Sequence, residues 1–320
     1  FTLLAFLVFL ASSYWVVPFL HLPSFFPFML VLVVFFISVF LTINRAFLQG
    51  LTRFVHFSLS AILEVLLKLL VAIGLVFWGF KVNGALFGFL VGGVIAYFYT
   101  LVPLRFVLTG RQEEKIIPFK NKEFFSFALP VFFSTLAFTS LYTTDVVLVR
   151  HFLPGHESGF YAALSVLGKI IFFATSPMVA VAFPLISERH AKGVRYRHLL
   201  WVSFFIISLI SFLAILLYFL FPQFIIKLLY GTPYLEAAPY LGFFAIFLSF
   251  YSLCFLLVNF FLSIGKTKVV AFPLIAGLLQ IILIWFFHQS LWQIIFISII
   301  LLALLLVVLL LYCLQAIKKS

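Results

Sequence analysis

The chain has 320 residues, 66% of them hydrophobic and 9% charged, and its mean hydropathy is +1.32. A soluble domain carries about 25% charged residues, so a water-soluble enzyme or regulatory domain is excluded. The formal net charge of +12 is spread over many short polar breaks, which argues against a nucleic-acid surface and for attraction to anionic lipid headgroups. The two cysteines, Cys254 and Cys313, sit far apart in apolar stretches. Neither a disulfide framework nor a metal-type Cys/His spacing follows from them.

Apolar stretches of about 20 residues, long enough to cross a bilayer as a helix, recur from end to end. In chain order they cover 3–20, 26–48, 54–79, 84–108, 124–150, 158–186, 197–221, 236–263, 268–287 and 290–315. This predicts an all-α polytopic membrane protein with ten visible transmembrane helices. Turn-forming residues mark the breaks: His21-Leu22-Pro23-Ser24, Asn83-Gly84, Pro154-Gly155, Gly231-Thr232-Pro233 and Gly265-Lys266. The longest connection, 109–123, leaves no room for an extramembrane domain. The chain begins in mid-span at Phe1, without Met or the charged start of a signal peptide, and reads as an N-terminally truncated piece of a longer protein.

Alternating the connections between two sides sorts the bases. Fifteen of the 20 Lys and Arg residues fall on one side: Arg45, Arg53, Arg105, Arg111, Lys115, Lys120, Lys122, Arg189, Lys192, Arg195, Arg197, Lys266, Lys268, Lys318 and Lys319. Lys81, Arg150 and Lys227 fall on the other. The basic side is expected to be cytoplasmic by the positive-inside rule, and with it the C-terminus.

Two cytoplasmic turns resemble each other. Arg45-Ala46-Phe47-Leu48-Gln49-Gly50-Leu51-Thr52-Arg53 joins the second and third spans. Asn259-Phe260-Phe261-Leu262-Ser263-Ile264-Gly265-Lys266-Thr267-Lys268 joins the eighth and ninth. Six spans separate them and both have the same orientation, as parallel repeats require. The expected organisation is therefore a truncated four-span N-lobe (1–108), a cytoplasmic linker (109–123) and a six-span C-lobe (124–320). Two spans would precede Phe1, for twelve in all.

Four charged residues lie inside otherwise apolar spans: Glu64, Lys68, Asp145 and Lys169. A charge at the bilayer centre costs about 2.5–3.5 kcal/mol on the mildest scale, so each is a candidate for function.

Several stretches resemble the polysaccharide transporter (O-antigen flippase-like) family of the multidrug/oligosaccharidyl-lipid/polysaccharide exporter superfamily. They are Phe125-Ser126-Phe127-Ala128-Leu129-Pro130; the run from Tyr142-Thr143-Thr144-Asp145 to Arg150-His151-Phe152; Glu157-Ser158-Gly159-Phe160-Tyr161 through Gly168-Lys169-Ile170; Phe183-Pro184-Leu185-Ile186-Ser187-Glu188; and residues 45–68. The resemblance implies two pseudo-symmetric six-helix lobes around a central cavity. It also implies a lipid-linked saccharide as substrate, flipped outward across the cell membrane.

The polar stripes are weighed against that expectation. His56, Ser60, Glu64 and Lys68 recur every four residues and share one helix face. Glu64 and Lys68 can neutralise each other as an i,i+4 pair, or line a cavity. Gly84, Gly88, Gly92 and Ala96 form a small-residue seam for close helix packing. Thr135, Thr139 and Tyr142 share a face. Asp145 follows near the outer end, with Arg150 as partner or as outer gate. Pro130 is expected to kink this helix. Tyr161, Ser165 and Lys169 lie on one side of the next span, and Lys169 has no acid at i±3 or i±4. The substrate-cavity candidates are thus Lys169, Lys68, Glu64, Ser165, Tyr161, Thr135, Thr139 and Tyr142. Asp145 and Arg150 are candidates for gating or coupling. Ser249, Ser252, Asn259 and Gln280 read as helix–helix glue.

The expected function is a non-enzymatic flippase for a polyprenyl-pyrophosphate oligosaccharide, working by alternating access. No cofactor is expected beyond a proton or sodium gradient, and no nucleic acid; the partners are the lipid-linked glycan, the bilayer and glycan-assembly enzymes. A peptidoglycan-precursor flippase or a drug/cation antiporter are alternatives on the same fold. A membrane glycosyltransferase or polysaccharide polymerase is a more distant one. No paired-carboxylate, nucleophile–base or metal motif supports it.

Overall fold

A computed structural model describes residues 2–21, 24–51, 53–109 and 121–318. Leu22, Pro23, Thr52, the linker bases Arg111, Lys115 and Lys120, and Lys319 lie outside the described residues. Twelve α-helices occur among the described residues: α1 Thr2–Phe19, α2 Phe26–Gly50, α3 Phe54–Leu75, α4 Lys81–Thr109, α5 Asn121–Leu141, α6 Thr144–Phe152, α7 Gly155–Ala191, α8 Arg197–Leu220, α9 Pro222–Tyr230, α10 Ala238–Ser263, α11 Ala271–Phe286 and α12 Leu291–Lys318. Eight helical stretches are long and apolar enough to cross a membrane, and α1 is a shorter apolar helix. One of the eight, Phe54–Arg105, contains two helices, α3 and α4. The expectation of ten spans in an all-α, multi-pass membrane protein is met.

The chain divides into two compact units, Phe1–Ile117 and Pro118–Ser320. In the first, α4 packs against both α3 and α2. The glycine seam is the reason α3 can come so close. A Cβ on Gly88 would lie 2.6 Å from the Lys68 carbonyl oxygen, and one on Gly92 would lie 2.8 Å from that of Glu64. Helix backbones touch directly there, as small-residue seams permit. The reversal between α3 and α4 differs from the expected Asn83-Gly84 turn. It falls at Gly79 (φ +90°) and Lys81 (φ +48°), because Gly79 tolerates the left-handed backbone that the reversal needs, and α4 starts at Lys81.

In the second unit, α10 is the centre. Nineteen of its 26 residues are buried, as expected of a helix apolar on all sides, with α7, α8 and α12 packed around it. Cys254 and Cys313 are both free and buried. The short helix α9 was not anticipated. It buries Ile226 and exposes Phe224, Leu228 and Leu229 beside Lys227, the composition of a helix that lies in a membrane interface.

The span 124–150 is interrupted, though not at Pro130, which sits inside a continuous α5. The break comes at Tyr142-Thr143, between α5 and α6. Carbonyls near the end of α5 need donors in a medium without water. Gln280 Nε2 donates to the Leu141 oxygen at 3.2 Å, and Tyr251 Oη donates to the Phe138 oxygen at 3.2 Å. Gln280 also donates to Ser298 Oγ at 3.0 Å, so its reading as glue between helices holds. Ser249, Ser252 and Asn259 instead bond carbonyls of their own helix.

Candidate functional site

The predicted residues separate into three groups. The first lies in the N-terminal unit. Glu64 does not form a simple neutral pair with Lys68. Its Oε1 accepts from Lys68 Nζ at 3.1 Å, while its Oε2 accepts from Arg45 Nη1 at 2.8 Å. Arg45 Nε donates to Ser60 Oγ at 2.9 Å. One carboxylate thus holds two cations, and the cluster keeps an excess positive charge. Arg45 Nη2 is buried and meets no acceptor among the described residues. Lys68 Nζ also lies 4.4 Å from the Phe89 ring centroid.

Arg45 had been counted with the loop bases. It belongs to α2, five residues short of the helix end, and turns onto α3. Its spacing from Asn44, which bonds Thr100 at 2.9 Å, was the available signal: two adjacent polar residues inside an apolar span. His56, the first residue of the predicted stripe, pairs with Tyr99 at 3.2 Å rather than with the charged cluster.

The second group is interior to the C-terminal unit. Asp145 is fully buried, and so is Tyr161. Tyr161 Oη donates to Asp145 Oδ2 at 2.8 Å, and the Val146 amide donates to Oδ1 at 2.9 Å. This corrects the reading of Asp145 as an interfacial residue held by Arg150. The break after Tyr142 redirects the chain, so that α6 carries Asp145 into the core against α7. Arg150 Nη1 contacts Ser158 Oγ at 3.4 Å. Ser165 is buried beside Tyr161 on α7. Tyr161 and Ser165 therefore belong to the packed interior and do not line an open surface. The stripe on α7 divides: Tyr161 packs on Phe244 of α10, with ring centroids 4.9 Å apart, whereas Lys169 lies against Tyr142.

The third group is Lys169 with Tyr142. The Lys169 side chain is half-buried, and its Nζ lies 5.0 Å from the Tyr142 ring centroid. Among the described residues it has no ion-pair partner. A cation–π contact contributes about 0.5–2 kcal/mol, less than the roughly 2.5–3.5 kcal/mol that insertion of the charge costs. The charge of the buried Asp145 also acts on Lys169, but from beyond ion-pair distance, which leaves room for water or an anion against the ammonium. Thr135 and Thr139 are exposed on α5, two turns and one turn before Tyr142. Thr135 Oγ1 donates to the Val131 carbonyl at 3.0 Å.

Among the described residues no cluster of three or more His, Cys, Asp or Glu side chains has the arrangement to hold a metal ion.

Comparison with known proteins adds the following. Residues 1–239 match the profile of the family described as "Polysaccharide biosynthesis protein". No curated protein matches the chain. Among solved structures, the fold is similar to a multidrug resistance MATE family transporter of the MOP superfamily in its inward-facing conformation. The TM-score is 0.73 at 14% identity, over 100% of this chain and 79% of the other. An outward-facing structure of such a transporter gives 0.68 at 16%, over 100% and 78%. A MATE crystal structure in a straight conformation gives 0.68 at 14%, again over 100% and 78%. At these identities the likeness is one of fold.

Proposed function

The chain belongs to the polysaccharide biosynthesis protein family, and from that premise we propose that it is a flippase, moving a polyprenyl-pyrophosphate oligosaccharide from the inner to the outer leaflet of the cell membrane. Family and fold both favour transport over catalysis. The observation that carries the reading is Lys169: a half-buried cation, about the middle of α7, with an aromatic ring under it and no carboxylate at ion-pair distance, its nearest electrostatic partner being Asp145, which Tyr161 and the Val146 amide already hold. An anionic headgroup would supply a partner at direct ion-pair distance.

The Arg45–Glu64–Lys68 cluster supports the same chemistry in the other unit, since it too retains an excess cation. Burying an unpaired pyrophosphate in hydrocarbon would be prohibitive. Fixed cations with water beside them remove that cost while most of the lipid tail stays in the bilayer. In this reading residues 1–108 and 124–320 act as an N-lobe and a C-lobe that rock against each other, and the C-terminus is cytoplasmic. Asp145, a fully buried carboxylate held by Tyr161, is our candidate for coupling to a proton or sodium gradient.

The test is glycan export in cells that depend on this protein. Lys169→Ala should reduce export by about tenfold or more, as expected when a buried charge partner is removed, and lipid-linked glycan should accumulate on the inner leaflet at unchanged protein level. Normal export by that variant would remove Lys169 from the mechanism.

A further inference from the structure

The face of α7 that carries Lys169 continues into a cavity. Phe172, Ser176, Ala180 and Phe183 follow Lys169 at intervals of three or four residues, so they share its side of the helix. All four line a cavity of about 780 Å³ within the C-terminal unit, between α5, α7 and α10. Its wall is apolar except for Ser176 and Asn259. The Asn259 amide nitrogen is spent on the Phe255 carbonyl at 2.8 Å. The Tyr142 ring that underlies Lys169 lies 6.1 Å from the Phe172 ring, and Phe172 belongs to the cavity wall. Lys169 itself does not line the cavity, but it sits one helical turn beyond Phe172 in the wall, so a positive charge adjoins one end of a hydrocarbon-like pocket.

That pattern selects a ligand with one anionic head and one long apolar chain. The volume falls within the range of roughly 300–1,000 Å³ typical of ligand sites. The polarity also sets a direction. Lys169 lies about halfway along α7, and the cavity runs from Phe172, just beyond it, toward the end of α7 that bears Arg189 and His190. An occupant would have its head near the membrane centre and its chain trailing toward the basic side. A lipid resting in the basic-side leaflet has the opposite orientation, with its head at that surface. The cavity thus suits a lipid whose head has already turned.

We propose that this cavity holds the first isoprene units of a prenyl phosphate, with its phosphate against Lys169, and so guides the chain while the headgroup crosses. The assignment rests on the flippase reading for its ligand class.

The test uses the full chain in nanodiscs of zwitterionic lipid, with a photoreactive farnesyl phosphate as probe and the matching farnesol as control. Label is expected on peptides of α7 and α10 that line the cavity. Lys169→Ala should lower farnesyl phosphate labelling by about tenfold and leave farnesol labelling unchanged. Ala180→Trp, which fills the cavity, should lower both. Ser176→Phe is the second filling variant, should Ala180→Trp not purify as a single species. Label outside the cavity, or undiminished label in a well-folded filling variant, overturns the proposal. Equal competition by a two-chain phosphatidic acid also overturns it, since the occupant would then be a bilayer phospholipid. The two readings fail separately. Cavity labelling together with normal glycan export in cells that lack the protein would sink the flippase reading alone, and impaired export without cavity labelling would sink this inference alone.

Discussion

At the scale of single residues, the chemistry of this protein depends on which buried charges are satisfied. Lys169 has an aromatic ring and the more distant Asp145 but no ion pair, Glu64 has two bases, and Asp145 takes its hydrogen bonds from a tyrosine and an amide. Removing the tyrosine hydroxyl tests the last of these. Tyr161→Phe leaves one oxygen of a fully buried carboxyl without its side-chain donor, which costs about 1–3 kcal/mol. A lower unfolding temperature in detergent is expected. Thr139→Ala, on an exposed position of α5, should stay within about 0.5 kcal/mol of the parent. Equal stability of the two variants would contradict the burial of the Asp145–Tyr161 pair. The sequence displayed all four intramembrane charges at once, because a charge in an apolar run is conspicuous. Arg45 is less conspicuous, because its position near a helix end resembles that of a loop base and only its polar neighbour Asn44 marks it.

At the scale of helices, periodicity was a good guide to contact and a poor guide to interruption. The four-residue recurrence of Gly84, Gly88 and Gly92 marks a seam, and the structure puts that seam on the α3 backbone. A paired substitution checks it. Gly92→Ala forces a Cβ to 2.8 Å from the Glu64 carbonyl oxygen, whereas Gly93→Ala meets nothing nearer than Ile37 at 3.6 Å. Gly92→Ala should destabilise by about 1–3 kcal/mol, the usual cost of overpacking. Gly93→Ala should be neutral or slightly stabilising, since alanine favours the helix. The reverse order in thermal unfolding would refute the close approach of α3 and α4. The break at Tyr142-Thr143 had no comparable signal. Its freed carbonyls are capped from positions 113 and 139 residues away in the chain, and local sequence carries no record of such donors. Pro130 drew attention to the wrong turn of α5.

At the scale of the whole molecule, the sorted bases predict the orientation in the membrane. Val194 and Gln289 lie exposed at opposite ends of the second unit's spans. Both native cysteines are buried, so background labelling should be low. A membrane-impermeant maleimide should label Gln289→Cys in intact cells and Val194→Cys only after lysis. The opposite pattern would invert the assigned topology.

Composition and periodicity by themselves determined that this is a helical, multi-pass membrane protein, where its spans lie, and which buried charges demand explanation. They could do so because the bilayer requires every span to satisfy its own backbone and to be apolar along its length. Only the tertiary structure decided what each charge meets. Partners such as Arg45 for Glu64 and Tyr161 for Asp145 come from other helices, and a helix break of two residues was enough to move Asp145 from an expected rim into the core. The same packing left Lys169 over an aromatic ring at the head of an apolar cavity. That placement follows from how α5, α7 and α10 pack together, so it cannot be read from any one of their sequences.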